Sequence, residues 1–338
     1  MMNKLLLFLI ILLIKSAIYA EISGSGATLP NPLYQAWIKT YETKTDKKVT
    51  YDSIGSENGF KQFYEKSVDF YASDINLTKS LIQSIPSTPN IIQFPVLITG
   101  VAIIYHLPMI QTLYLDHELL TSILLGKIKY WDNASIKNLN PETELPHLRI
   151  IPILRKGNSG TSYVLSQYLN QVNHQWQEKI GISANLGFKT GFKVDNSIQM
   201  AEAVSQIPGS IGYISLGYTN NSTVASIKNQ SGNFVKPTKK NIQKAVKNLS
   251  EEAIFCSNTT HEEGYPLSTF SWITIYQEQS YNDRSLQIAR ELKKWIHWVI
   301  ENGQDQMSNK EYYIKLPNHF IQEAKEKLTH LTYQEKSF

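Results

Sequence analysis

Three short segments combine small residues and hydroxyl side chains with the predicted first turn of a helix. They are residues 24–30 (GSGATLP), 55–59 (GSENG) and 157–161 (GNSGT). The first N–H groups of a helix have no partner inside it, and the helix dipole places partial positive charge there. Plain N-capping by Ser or Thr is the alternative for any one segment. Three such segments in one chain favour a shared anion-binding site.

Two charged residues sharpen this prediction. Arg155 precedes the third segment, and a guanidinium matches two oxygens of an oxyanion in a planar fork. Asp74 follows a predicted strand, and two like charges about 4 Å apart at an effective dielectric of 20 repel by about 4 kcal/mol. The conflict disappears for an anion that keeps a proton, because Asp74 can accept a hydrogen bond from it. Phosphate near neutral pH has such a proton and sulfate has none. A surface arginine and a capping carboxylate are the alternatives.

Other chemistries find weaker support. Residues 24–26 (GSG) lack both the Gly-Lys-Ser/Thr of a phosphate-loop NTPase and the third glycine of a dinucleotide fold. No Cys, His and carboxylate cluster has metal-ligand spacing, so no metal or cofactor is predicted. Ser159 resembles a serine nucleophile, but that role needs an oriented base. The histidines are scattered along the chain, at His106, His117, His147, His174, His261, His297, His319 and His330. A serine hydrolase or phosphatase is therefore a minor alternative, and no catalytic residue is predicted.

Strands alternating with helices must position these segments, which indicates an α/β fold. Alternating or β-branched apolar runs predict strands at residues 49–54, 68–72, 93–105, 150–154, 211–215 and 272–276. Apolar residues at helical spacing predict helices through residues 33–41, 60–64, 163–169 and 288–299. All three candidate segments thus fall where a strand gives way to a helix.

The N-terminus predicts export. Lys4 is followed by an apolar run over residues 5–14 and by small residues up to Ala20, which is typical of a cleavable signal peptide ending at Ala20. An uncleaved anchor is the alternative. The single cysteine, Cys256, is interpreted as a small buried hydrophobe. A chain of 338 residues predicts two domains, and a mild net charge of +4 without a basic block argues against a nucleic-acid partner.

Seven stretches carry a resemblance to a known family. They are GSGATLPNPLYQAW (24–37), VTYDSIGS (49–56), VDFYASDINLT (68–78), QFPVLITGVAI (93–103), LLGKIKYWDNASIKNLNP (124–141), RKGNSGTSYV (155–164) and IPGSIGYISLGY (207–218). In this order they resemble the periplasmic phosphate-binding protein of the bacterial high-affinity phosphate (Pst) ABC transporter. The last ~60 residues match more weakly.

The resemblance implies a two-lobe periplasmic solute-binding protein of type II, with a ligand cleft between the lobes. Residues 21–98 and 267–338 would form one lobe and residues 99–266 the other, with hinge crossings at residues 96–100 and 266–270. The lobes would close over inorganic phosphate by a hinge motion, and the monomeric, loaded protein would dock on a membrane permease. Sulfate, molybdate or a phosphonate is the alternative ligand.

The resemblance also implies the ligand-binding residues. Carried over by position, they are Thr28, Leu29, Ser56, Asp74, Arg155, Ser159, Gly160 and Thr161. The family usually has Phe at the position of Leu29, where the contact is expected through the backbone N–H. It commonly has Asp at the position of Gly157, which leaves the anchor of Arg155 open. It favours small residues at the position of Glu57, which either weakens binding or points to solvent.

Overall fold

The computed structural model describes residues 21–74, 76–77, 90–188, 191–246, 259–307 and 312–338. The predicted signal peptide and Cys256 lie outside these residues. Within the described ranges, no helix has the length and apolar character needed to cross a membrane.

Strands and helices alternate through most of the chain, as predicted. The strands are β1 Ile22–Gly26, β2 Val49–Asp52, β3 Phe70–Ser73, β4 Ile91–Tyr105, β5 Tyr114–Leu115, β6 Ile151–Arg155, β7 Phe192–Val194, β8 Ser210–Ser215, β9 Thr223–Val224, β10 Ser226–Lys228, β11 Phe234–Val235, β12 Ser268–Tyr276, β13 Thr332–Tyr333 and β14 Lys336–Ser337. The helices are α1 Asn31–Thr45, α2 Ser56–Tyr64, α3 His117–Leu124, α4 Ala134–Leu139, α5 Gly160–Val172, α6 His174–Lys179, α7 Ser197–Gln206, α8 Lys239–Val246, α9 Leu286–Ile300, α10 Asn302–Gln306 and α11 Asn318–Thr329.

Among the described residues, nine strands form one sheet in the order β2-β1-β3-β12-β4-β8-β6-β7, with β9 beside β4. Strand β4 is the member that both halves share. Its residues up to Gly100 pair with β12, and from Val101 onward they pair with β8. We call β2, β1, β3 and β12 the first half of the sheet, and β8, β6 and β7 the second half.

The apolar run of β4 explains its central place. Nearly all of its residues are buried, which suits a strand covered on both faces. The two segments predicted as hinge crossings lie side by side here, because Ser268 pairs with Gly100 and Phe270 with Ile98. The far C-terminal part returns to the same place, since the N–H of Ile314 donates to the carbonyl of Ile98 at 2.9 Å.

Aromatic residues pack α1 and α9 on the first half of the sheet. Trp37 stacks on Tyr34 with ring centres 5.3 Å apart, and its indole N–H donates to the carbonyl of Gly303 at 2.9 Å. Tyr41 meets Trp295 edge-on at 5.0 Å. These aromatic side chains are part of the hydrophobic core, and they join the N-terminal helix to the C-terminal part of the chain.

Candidate functional site

The three candidate segments lie where a strand is followed by a helix, as the sequence predicted, and the second and third extend into the first turn of the helix. The first lies between β1 and α1, the second between β2 and α2, and the third between β6 and α5. In each case the loop follows the C-terminal end of a strand. Parallel strands of an open α/β sheet gather their ligand-binding loops at this end.

Close backbone contacts bring the loops together. The N–H of Gly55 donates to the carbonyl of Gly26 at 2.8 Å, and a β-carbon on Gly59 would lie 2.3 Å from the α-carbon of Gly26. Only glycine at position 59 allows the first and second loops to touch in this way. A β-carbon on Gly55 would lie 3.8 Å from the carbonyl oxygen of Asn158, so the third loop borders the second.

Asp74 directly follows β3 and completes the site. The N–H of Ala27 donates to the carbonyl of Ala72 at 2.8 Å, which ties the first loop to the end of β3. From there the carboxylate reaches the third loop, because a β-carbon on Gly160 would lie 2.0 Å from Oδ2 of Asp74. The site therefore joins both halves of the sheet.

The carboxylate of Asp74 is buried, with 4% of its surface exposed, and neither oxygen has a hydrogen-bond partner among the described residues. The nearby hydroxyl of Ser271 donates to the carbonyl of Ser73 at 3.4 Å. Burial raises the pKa of Asp74 to about 7, although Ser271 and the charge of Arg155 act to lower it. A buried carboxyl group without a hydrogen-bond partner costs free energy, so Asp74 is suited to accept a hydrogen bond from a ligand that carries a proton.

Arg155 is the last residue of β6, and its side chain is buried. One terminal nitrogen, NH2, donates to the carbonyl of Asp195 at 2.7 Å, and the other, NH1, donates to Oγ1 of Thr161 at 3.2 Å. Its Nε has no acceptor among the described residues. Burial lowers the pKa of Arg155, and the charges of Asp195 and Asp74 oppose that effect. The guanidinium remains charged and keeps free N–H groups for a ligand.

These bonds answer the question raised by Gly157. The backbone of Asp195 holds the guanidinium in place of a side chain at position 157. Gly157 itself has φ +66° and no neighbour near its missing β-carbon, so its role is to form the turn before α5. The carboxylate of Asp195 lies 3.8 Å from the ammonium of Lys156, at the protein surface.

Ser159 and Thr161 form a hydroxyl pair at the start of α5, with their oxygens 2.8 Å apart. Ser159 is the N-cap, since its Oγ accepts from the N–H of Ser162 at 3.4 Å. Capping and ligand binding are therefore compatible at this residue. Arg155 donates to the hydroxyl oxygen of Thr161, and the N–H of Ser162 donates to that of Ser159. Of the two hydroxyl protons, one forms the hydrogen bond between the two oxygens, and the other can donate to a ligand.

The remaining predicted residues present unpaired donors. Ser56 is the first residue of α2, and its buried Oγ has no partner among the described residues. Thr28 and Leu29 lie in the first loop. Within the described part of the chain, their N–H groups and those of Gly160 and Thr161 have no acceptor. Glu57 is exposed, so its side chain points to solvent.

Two contacts of the first loop were not foreseen from the sequence. The hydroxyl of Ser215 donates to the carbonyl of Leu29 at 3.0 Å, and that of Tyr218 donates to the carbonyl of Thr28 at 3.3 Å. Both donors fall in the stretch 207–218 that carries the family resemblance, but their separation from the first loop in sequence hid the contact.

Among the described residues, the candidate site brings one cationic side chain, several unpaired donors and one unpaired carboxylate to the contact of the two sheet halves. This defines a binding protein for a small oxyanion. Among the described residues, no group of three or more His, Cys, Asp or Glu side chains could hold a metal ion.

Comparison with known proteins agrees with this class. The sequence profile of the PBP superfamily domain matches residues 14–302. Phosphate-binding protein PstS of Haemophilus influenzae is 33% identical over 301 residues, covering 86% of this chain and 88% of that protein. Phosphate-binding protein PstS of Pasteurella multocida is 31% identical over 310 residues, covering 89% and 88%. The chain belongs to the PstS family of phosphate-binding proteins within the PBP superfamily.

A solved structure supports the same fold. The high-affinity periplasmic phosphate-binding protein PfluDING, bound with phosphate, superposes with a TM-score of 0.75 at 19% identity, covering 90% of this chain and 93% of that one. The predicted α/β, two-lobe solute-binding fold is confirmed.

Proposed function

We propose that this protein binds inorganic phosphate outside the cytoplasm and delivers it to the permease of an ABC transporter. The observation that carries the proposal is the buried, unpartnered carboxylate of Asp74 at the start of α5, together with the unpaired donors of Ser56 and Arg155. A fully ionised anion satisfies only the donors, whereas an anion that retains a proton satisfies both. The phosphate-binding relatives support this choice of ligand.

The ligand contacts follow from the free donors. Phosphate oxygens accept from the N–H groups of Thr28 and Leu29 and from the hydroxyl of Ser56. On the opposite side they accept from Arg155, from the third loop's remaining hydroxyl proton, and from the N–H groups that begin α5. That loop contributes Ser159, Gly160 and Thr161. Each charge-assisted bond contributes about 1.5–3 kcal/mol, and micromolar affinity needs about −8 kcal/mol in total.

Asp74 sets the specificity. When Asp74 is ionised it accepts a hydrogen bond from the protonated oxygen of the ligand, and sulfate has no proton to donate. A site whose buried polar group is left unpaired by an analogue rejects that analogue by roughly 10⁴-fold or more. Sulfate, molybdate and fully ionised phosphonates are the competing ligands, and the response to Asp74→Asn separates them from phosphate.

The chain is proposed to divide at the shared strand β4. Residues 21–98 and 267–338 form one lobe and residues 99–266 the other, with bending at residues 96–100 and 266–270. The register in which β4 changes partner after Gly100 supports this division. A signal peptide cleaved after Ala20, a periplasmic location and a monomeric state complete the proposal.

An enzyme using Ser159 finds no support in the site. Its hydroxyl bonds to Thr161 and to the N–H of Ser162, and no imidazole bonds to it among the described residues. The relatives are likewise phosphate-binding proteins. Release of phosphate from an ester, abolished by Ser159→Ala, would establish the enzyme instead.

The proposal is tested by titration calorimetry with phosphate, after bound phosphate is stripped in denaturant and the protein is refolded. The wild type should bind one phosphate with micromolar or tighter affinity. Arg155→Lys should weaken binding by roughly 10- to 100-fold, because a lysine ammonium cannot bond Asp195, Thr161 and ligand in one plane. Arg149→Lys, at an exposed position, is the matched control and should bind as the wild type does. Absence of saturable binding in the wild type would refute the proposal.

A further inference from the structure

The N–H groups and the carbonyl groups of the first loop differ in their hydrogen bonding. The N–H groups of Thr28 and Leu29 have no acceptor among the described residues, whereas the carbonyls of the same two residues are already bonded. Tyr218 donates to the carbonyl of Thr28 at 3.3 Å, and buried Ser215 donates to that of Leu29 at 3.0 Å. The carbonyl of Thr28 shares its peptide plane with the N–H of Leu29, so Tyr218 fixes the orientation of that N–H. The carbonyl of Leu29 belongs to the peptide before Pro30, which has no N–H, so Ser215 fixes the chain that follows it.

The donors come from the second half of the sheet. Ser215 is the last residue of β8 and pairs with Val101, just beyond the point where β4 changes partner. Tyr218 ends the 3-10 turn Leu216–Tyr218 that follows. The first loop belongs to the first half of the sheet, so both bonds bridge the two halves.

Gly217 shows how closely this turn fits its surroundings. A β-carbon on Gly217 would lie 2.2 Å from the hydroxyl oxygen of Tyr313 and 3.5 Å from Cγ of Pro32. Pro32 lies in the first turn of α1, immediately after the first loop. The turn is thus enclosed by the first loop and by the C-terminal part of the chain.

We propose that Ser215 and Tyr218 are positioning residues that form a latch between the two halves, coupling closure of the cleft to the orientation of the Leu29 N–H and of the peptide that follows it. The inference rests on the proposed phosphate binding. When the halves separate, both hydroxyls exchange these carbonyls for water. A bond present only in the closed form raises the closed fraction, and the apparent affinity rises with that fraction. A bonded carbonyl also polarises its peptide group.

The test removes single hydroxyls. Ser215→Ala, Tyr218→Phe and the double variant are titrated with phosphate and with sulfate, and the phosphate dissociation rate is measured by stopped flow. Each single change should weaken phosphate affinity roughly three- to tenfold, chiefly through faster dissociation. The phosphate-to-sulfate ratio should stay constant, because Asp74 is untouched. Tyr130→Phe, at an exposed tyrosine, is the matched control and should leave both the affinity and the rate unchanged.

The outcomes separate the latch from the proposed function. If the wild type binds phosphate and the double variant has the same affinity and dissociation rate, the latch is wrong. A changed phosphate-to-sulfate ratio would also overturn it, since the residues would then act on ligand chemistry. Failure of the wild type to bind phosphate refutes the proposed function itself. Gly217→Ala gives a second check, because the added methyl meets Tyr313 and should speed dissociation with both hydroxyls present.

Discussion

Oδ2 of Asp74 lies so close to Gly160 that a β-carbon on that glycine would be 2.0 Å from it. Asp74 follows β3 in the first half of the sheet, and Gly160 begins α5 in the second half. A carboxylate and the positive end of a helix thus meet across the cleft. This contact leaves no room for a side chain at position 160.

Gly160→Ala should therefore reduce phosphate affinity without unfolding the protein. The added methyl collides with Asp74, and overpacking of this kind costs about 1–3 kcal/mol, equivalent to a loss of roughly 5- to 150-fold. Alanine favours the helix itself, so the melting temperature without phosphate should be nearly unchanged. Calorimetry and thermal melts check both expectations. Gly232→Ala, outside the candidate site and at φ +88°, is the converse control, since backbone strain should lower its melting temperature while its phosphate affinity stays unchanged. Unaltered affinity in Gly160→Ala would contradict the closed contact.

Sulfate binding should depend on pH in a direction set by Asp74. Burial raises the pKa of Asp74 to about 7, so the carboxyl is largely ionised at pH 8 and protonated at pH 5.5. The protonated form can donate to sulfate, whereas the ionised form repels it. Sulfate affinity should rise about tenfold from pH 8 to pH 5.5. Sulfate titrations at both pH values measure the effect, and Asp74→Asn should abolish it. A wild-type affinity that falls on acidification would count against this role.

The stability of the phosphate-free protein should also depend on the protonation of Asp74. The pKa of Asp74 is raised in the fold, from 3.8 to about 7, so the fold favours the protonated carboxyl. The stability that this supplies is complete below pH 4 and is lost as the pH rises through 7. Relative to Asp74→Asn, the phosphate-free wild type should lose up to about 4 kcal/mol of unfolding free energy between pH 4 and pH 8. Urea unfolding of both proteins across this range measures the difference, and parallel curves would show that Asp74 titrates normally.

Glu57 should have little influence on binding. Its side chain is exposed in the first turn of α2, where solvent and salt screen it. Glu57→Gln should strengthen phosphate binding by less than about threefold at low ionic strength, and the gain should vanish in high salt. Glu65→Gln, at the exposed end of the same helix, is the control. A tenfold gain would place the Glu57 carboxylate at the ligand.

The sequence predicted the parts of the site that are local. Ser56 and Ser159 stand at helix starts, and Asp74 follows a strand, so residue type and position were enough to nominate them. The predicted strands and helices that carry these residues are confirmed, with ends shifted by a few residues. The first segment was interpreted as a strand-to-helix junction, but the bounds of β1 were not predicted, since its Gly- and Ser-rich residues resemble a loop and only pairing with β2 and β3 makes it a strand.

The rest depends on contacts between distant residues. The bond that anchors Arg155 comes from the backbone of Asp195, and a carbonyl oxygen has no signature in sequence. The meeting of Asp74 with Gly160 and the bonds from Ser215 and Tyr218 depend on how the two halves of the sheet close. These features follow from tertiary packing, which residue spacing does not encode.

The most direct test of the account is titration calorimetry of the wild type and Asp74→Asn with phosphate and with sulfate at pH 8. The wild type should prefer phosphate by roughly 10⁴-fold or more, because only phosphate offers a proton to the carboxylate. In Asp74→Asn the neutral amide can donate to either anion, so the preference should fall by about tenfold or more through improved sulfate binding. If the preference for phosphate is the same in Asp74→Asn as in the wild type, it does not depend on a hydrogen bond from the ligand's proton to Asp74.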